Sequence, residues 1–324
     1  MKSRFVVPLV MLFLSIASIG HGTDWCQEYL NKGEYDKAID ACTAMLLPPN
    51  HPTYQSFYGR GFAYSKKGQY DKAIADYTAA IELAPQNGRI YEARASAYES
   101  TQQYDKAIGD WSKAVSIAPV EYNYLNRGRL YRNMGRYREA IADYGKVIQL
   151  DPGKVPGYWF RSVAYYEEGA FGDSVRDYRK LIEIIPKAKP DVKLDILYVR
   201  YLNSAGKLSQ DEYDKVLAEL RSYVVSHDVS SDDEKWPRTI SKYYLGMGDL
   251  TDARLLDEAR NGKNEEAVQH RLCDAYYSIG EKKLMERDIK GAKEFFNKSI
   301  ETNVSSYSSR FSKAMLRMMQ EGKL

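Results

Sequence analysis

Histidine and cysteine are scarce in this chain of 324 residues, four of the one and three of the other. Those are the side chains that most often bind zinc or serve as catalytic nucleophile and base, so their scarcity narrows the chemistry open to the protein. His21, His51, His227 and His270 are scattered. Only His270 and Cys273 stand one helical turn apart, and two ligands do not complete a zinc site. No phosphate-binding glycine loop, nucleophile elbow or zinc-protease signature occurs. Excess charge of one sign is also lacking: 47 basic side chains face 44 acidic ones, and setting Lys2 and Arg4 aside brings the balance near neutrality. Without a basic surplus a nucleic-acid partner is not expected. Neither a metal, a cofactor nor an enzymatic activity is expected.

Long apolar runs are missing except at the amino terminus. There Lys2 and Arg4 precede an apolar run over 5–19, followed by Gly20-His-Gly22. That order of basic, apolar and small residues predicts a cleaved secretory signal over 1–22, since the run is short for a membrane span. Retention of the run as an anchor is the alternative. The expected location is periplasmic or secreted, with no stable membrane insertion after cleavage. No lipid-attachment motif precedes Cys26, because Thr23, Asp24 and Trp25 stand before it.

What is present in abundance is tyrosine, 28 residues, and much of it is periodic. Tyr-Asp-Lys-Ala-Ile occurs at 35–39, 70–74 and 104–108, and Tyr-Arg-Glu-Ala-Ile at 137–141. A fixed period of this size marks a stack of like supersecondary units. Around each copy the frame extends outward, as in Phe57, Gly61, Tyr64, Gly68, Tyr70, Ala73, Tyr77, Ala80 and Pro85, and again in Tyr158, Ser162, Tyr165, Gly169, Phe171, Ser174, Tyr178, Leu181 and Pro186. Steps of three and four on either side of a glycine predict two amphipathic helices joined by a tight turn. The glycine relaxes the turn and the proline ends the second helix. Gln102 at the turn of the third unit and Ser174 at an alanine position of the fifth predict slightly looser packing. Pairs such as Asp71 and Asp76 are expected on exposed faces in solvated salt bridges.

This frame resembles the tetratricopeptide repeat family over about residues 24–187. The resemblance implies an all-α fold, a right-handed superhelical solenoid of helical hairpins. Its expected organisation is a degenerate first repeat at 23–53, repeats at 54–87, 88–120, 121–154 and 155–188, and a helical connector at 189–234. A C-terminal helical region then covers 235–324, with a repeat-like hairpin at 273–303 and a capping helix near 308–319. Ser209-Gln-Asp-Glu212 predicts a capping box opening a helix to about 227, and 230–234 reads as a polar linker. Arg287 stands where the turn glycine belongs, and Asn303-Val-Ser305 forms a glycosylation sequon whose relevance depends on a eukaryotic source.

Cys26 and Cys42 fall on facing sides of the first hairpin, so in an oxidising compartment a disulfide is expected there. Two buried thiols are the alternative. Cys273 is expected in core packing.

In such stacks the first helix of each hairpin lines the inner surface. Its inward positions give a candidate partner-binding groove of Tyr58, Phe62, Arg89, Glu92, Asn126, Arg129, Arg132, Trp159, Phe160 and Tyr166, a mixture of aromatic and charged groups suited to a peptide or partner helix. Tyr54, Tyr122 and Tyr158 are as readily explained by packing between units. The carboxylate clamp of some chaperone-binding members is not expected, because its positions hold Tyr58, Phe62 and Ala93.

Trp236-Pro237, the run at 243–246 and the stretch at 273–303 resemble the NlpI-like group of bacterial envelope proteins. That likeness implies an adaptor docking envelope proteases and cell-wall hydrolases. A structural subunit of a secretion or surface-assembly complex and a cell-wall-binding module are the alternatives, and a homodimer through the ends of the array is a further expectation.

Overall fold

The computed structural model describes residues 22–48, 51–184, 218 and 232–324. Of the expected signal at 1–22 all but Gly22, together with Pro186, the capping box at 209–212 and, apart from residue 218, its helix and the connector up to residue 231, lie outside the described residues. Among those described there are fifteen helices and no strand, so the expected all-α class holds. In chain order they are α1 Gly22–Lys32, α2 Tyr35–Leu46, α3 Tyr54–Lys66, α4 Tyr70–Leu83, α5 Gly88–Ser100, α6 Tyr104–Ile117, α7 Glu121–Asn133, α8 Tyr137–Leu150, α9 Val155–Glu168, α10 Phe171–Ile184, α11 Asp232–Tyr244, α12 Asp252–Arg260, α13 Glu265–Met285, α14 Ile289–Glu301 and α15 Tyr307–Gln320. The chain groups into two compact units, one up to Met134 and one from Gly135 onward.

In the first unit, α1–α2, α3–α4 and α5–α6 form hairpins, and each second helix packs on the first helix of the next. The turns share one device. Gly33 and Gly68 adopt φ of 72°, and the amide after each reaches back to a tyrosine carbonyl, Glu34 N to Tyr29 O and Gln69 N to Tyr64 O, both at 2.9 Å. This is the left-handed helix stop that satisfies two otherwise orphaned carbonyls. Gln102 keeps the same geometry without being glycine: its φ is 59° and Gln103 N reaches Tyr98 O at 2.8 Å.

Within a hairpin the small residues set the spacing. A Cβ on Gly61 would stand 2.9 Å from the Tyr77 ring and 3.2 Å from the Ala73 carbonyl. Only glycine therefore lets α3 approach α4 at that crossing. Tyr77 and Trp111 fill the space beside these contacts and are almost wholly buried.

A second recurring device lies on the hairpins. Arg60 forks onto Asp76 at 2.7 and 2.8 Å, and Arg94 onto Asp110 at the same two distances. In the second unit Arg161 forks onto Asp177, both bonds 2.6 Å. The remaining guanidinium nitrogen of Arg60 and Arg94 donates to a hydroxyl on the preceding hairpin, Thr43 at 3.2 Å and Thr78 at 2.9 Å. Tyrosines one turn either side, Tyr91 and Tyr98 for Arg94, lie within 6 Å of the cation. The carboxylates raise the proton affinity of these guanidinium groups and hold them charged. Asp76 is thus a buried anchor, not the solvated carboxylate expected from its sequence; Asp71 is exposed as expected.

The second unit begins with α8, α9 and α10 and continues after the undescribed stretch with α11 to α15. Ser174, expected to loosen the fifth hairpin, is fully buried and donates to the Ser162 carbonyl at 2.7 Å. Residues 232–234, expected in a linker, open α11. Trp236 and Pro237 lie inside that helix, and the Trp236 indole donates to Asp274 at 3.2 Å. Ser308 donates to the other oxygen of Asp274 at 2.5 Å, so one carboxylate on α13 ties down both α11 and α15. Cys273 is buried against Ser299 and Ser306, as core packing predicts. Arg287, like Gln102, takes the left-handed turn, at φ 61°.

The final helix α15 covers the α13–α14 hairpin, as expected for a cap. It also packs on α9. Phe311, Met315 and Met318 enter one core with Tyr166, Tyr178, Tyr277 and Phe296. No described helix is long and apolar enough to cross a membrane.

Candidate partner-binding site

The ten groove residues predicted from the sequence separate into two groups. In the second unit Trp159, Phe160 and Tyr166 are used in packing. Trp159 donates its indole N–H to the Tyr307 hydroxyl at 3.3 Å and meets that ring edge-on at 6.0 Å. Phe160 stacks on Tyr144 at 5.6 Å. Tyr166 is fully buried, its hydroxyl 2.7 Å from that of Tyr277 and its ring 4.6 Å from Phe311. Helix α15 packs on Trp159 and Tyr166 through Tyr307, Phe311 and Met315, whereas Phe160 packs on α8. Tyr166 is therefore closed to a partner, while Trp159 and Phe160 each keep part of their surface exposed.

In the first unit Tyr58, Phe62, Arg89, Glu92, Asn126 and Arg129 all keep solvent exposure, whereas Arg132 is buried. Helices α3, α5 and α7 bring several of them together. Burial raises the Tyr58 hydroxyl above the usual tyrosine value, while Arg89 lowers it and Glu92 and Tyr122 raise it further. The Tyr58 hydroxyl on α3 is therefore within electrostatic reach of groups on α5 and α7. Tyr122, for which packing between units was an equal reading, is 56% exposed and rests edge-on against Trp111 at 6.0 Å.

Beside them is a shallow recess of about 660 Å³, lined among others by Tyr54, Pro85, Asn87, Arg89, Glu92 and Val120. The loops ending α4 and α6 build its rim. Proline and the capping Asn87, which accepts from Arg89 N at 3.2 Å, fix the first of these loops. Val120 is 48% exposed there. Further along, Glu99 accepts from the Trp111 indole at 2.8 Å and from Arg129 at 2.9 Å. Asn126 turns its amide to the Tyr122 carbonyl at 2.8 Å. Lys66 sits 5.2 Å from the centre of the Phe62 ring.

The geometry offers apolar and aromatic surface, an exposed cation at Arg89 and a carboxylate at Glu92, which suits an extended segment with mixed side chains. The sequence pointed to Arg89 and Glu92, left Tyr54 and Tyr122 open between groove and packing, and gave no place to Val120. The rim position of Val120, between a helix-ending loop and the start of α7, was the available signal. Among the described residues no group of three or more His, Cys, Asp and Glu side chains could hold a metal ion.

Tetratricopeptide repeat models match residues 54–87 and 123–154, and a second model of the same repeat matches 88–121. These three stretches are tetratricopeptide repeats. A solved tetratricopeptide repeat protein from Parabacteroides merdae ATCC 43184 is similar at 18% identity and a TM-score of 0.52, covering 93% of this chain and 99% of its own. That likeness bears on fold alone. A MamA structure, at 25% identity and TM-score 0.47, covers 51% of this chain and 93% of its own. YrrB, described as a tetratricopeptide repeat protein with an unusual peptide-binding site, is 20% identical at TM-score 0.45, covering 51% of this chain and 86% of its own. No curated protein matches the chain.

Proposed function

We propose that this chain is a non-enzymatic interaction scaffold of the bacterial cell envelope, and that the inner face of α3, α5 and α7 holds a peptide segment of its partner. The observation that carries the reading is the convergence of Tyr58, Arg89, Glu92 and Tyr122 beside an open recess. Proteins built of tetratricopeptide repeats generally bind other proteins, and here the large aromatic groups with an exposed arginine are of the kind that concentrate binding energy once desolvated. Export is supported by the basic and apolar order of residues 2–19 and by the Cys26–Cys42 bridge. The partner this reading implies is an envelope protease or hydrolase, brought by the scaffold to its substrate.

The test uses Arg89→Glu and Tyr122→Ala, both at exposed positions. Cross-linked capture from envelope extract should recover a defined protein with the parent chain and lose it with either variant, while circular dichroism of the variants stays unchanged. Undiminished capture by both variants would remove this face from consideration. Recovery of peptidoglycan alone would favour a wall-binding module instead.

A further inference from the structure

We infer that the Cys26–Cys42 bridge is the seat on which α3 docks, so that its redox state governs whether the first hairpin holds that helix. This goes beyond a staple within one hairpin and does not depend on the identity of any partner. The bridge joins α1 to α2 with Cα atoms 5.2 Å apart, and both cysteines are buried, at 5% and 0% exposure. Leu30, Ala41 and Met45 of the same hairpin pack around them, and the side toward the next repeat is closed by its backbone. A Cβ placed on Gly59 of α3 would lie 2.9 Å from Cys26 Sγ, 3.2 Å from Cys42 Sγ and 3.4 Å from Leu30 Cδ1. The absence of a side chain at Gly59 thus lets α3 rest directly on the two sulfurs. The adjacent residues reinforce the seam: Arg60, next to Gly59, donates to Thr43, next to Cys42, at 3.2 Å.

Reduction by a dithiol proceeds by thiolate attack on one bridge sulfur, giving a mixed disulfide and releasing the other cysteine. The second reagent thiolate then displaces the first cysteine. Two electrons and two protons pass from the dithiol to Cys26 and Cys42, and the reagent leaves as a disulfide. Two thiols cannot approach as closely as two bonded sulfurs, so the pair needs more room after reduction. On the Gly59 side there is none. Separation of the sulfurs therefore lifts α3 from the hairpin, and the same packing shields the sulfurs until α3 has lifted. The two events are reciprocally linked. Because Tyr54 and Tyr58 stand on α3, the oxidation state reaches the α3 wall of the recess.

Hydrogen exchange of the full chain, oxidised and after treatment with dithiothreitol, tests this. Reduction is expected to speed exchange over residues 54–66 roughly tenfold while 88–100 stay unchanged, as local opening of one seam requires. Oxidised Gly59→Ala, with its seam already displaced, should be reduced roughly tenfold faster than the parent. Acceleration confined to 22–46 would make the bridge a staple only and overturn the inference. Equal acceleration from 22 to 133 would do so as well, by showing collapse of the whole unit. Free thiols at both cysteines in denatured, non-reduced protein would end it outright. If Gly59→Ala fails to fold, the comparison of the two states of the parent chain still decides.

Discussion

Gln102 and Arg287 hold backbone angles of 59° and 61° at turn positions where Gly33, Gly68 and Gly169 stand at 72°, 72° and 92°. A left-handed conformation costs a residue bearing a Cβ about 1–2 kcal/mol, and the hairpin geometry imposes that cost because both flanking helices are fixed by their cores. Gln102→Gly is therefore expected to raise stability by about 0.5–1 kcal/mol, the gain being trimmed by the greater freedom of glycine in the unfolded chain. A thermal melt of the variant against its parent reads this directly, and a lowered midpoint would refute the strain. From sequence, the missing glycine was legible as a departure, but its effect was misplaced. Packing around the turn is kept, and the strain resides in the φ angle of Gln102. Ser174 was likewise legible as a departure, yet its hydroxyl finds the Ser162 carbonyl, a partner that spacing alone does not reveal.

At the scale of the helix, Arg60, Arg94 and Arg161 each precede their aspartate by sixteen residues, and Arg127 with Asp143 repeats the spacing in the sequence. The period was readable, but its burial was not, because only the packed stack shows that the arginines of these pairs lie against the preceding hairpin. Asp110→Ala should cost about 2 kcal/mol, below the usual cost of breaking a fully buried pair because Arg94 retains 16% exposure. The double variant Arg94→Met, Asp110→Leu should recover most of that loss, since the pair's desolvation cost disappears with it. Chemical denaturation of the single and double variants supplies the cycle. A contrasting case is Trp159, placed by sequence in the groove. Its indole is bonded to Tyr307 of α15, so Trp159→Ala is expected to lower the stability of the second unit by about 3 kcal/mol while partner capture through the first unit persists. Loss of capture without loss of stability would reverse that assignment.

For the whole molecule, the regular hairpins were readable because each repeats one frame of small and aromatic residues, and local spacing decides local packing. The second unit was less so. Its core joins α9 and α10 to α13, α14 and α15, more than a hundred residues away in sequence, and no periodicity encodes that Tyr166 meets Phe311 and Tyr277. The candidate site was legible to the same extent: the frame located the inner helices, but only the fold shows that α15 buries Tyr166 and bonds Trp159. What the two units have in common is buried tyrosine. Burial raises the hydroxyl of Tyr77 in the first unit, and burial followed by the bond to Asp252 raises that of Tyr243 in the second, both above the ordinary value of 10.0. Above that pH the unfolded chain has lost these protons and the native chain has kept them, so the unfolded state binds fewer protons and stability falls as pH rises. The tyrosine contribution is thus fully present below pH 10.0 and lost as pH climbs toward the folded-state values. Titration of the 28 tyrosines by absorbance, alongside circular dichroism, should show the exposed ones ionising first and the buried ones only together with loss of helix. Ionisation of every tyrosine with helicity intact would contradict the burial of Tyr77 and Tyr243.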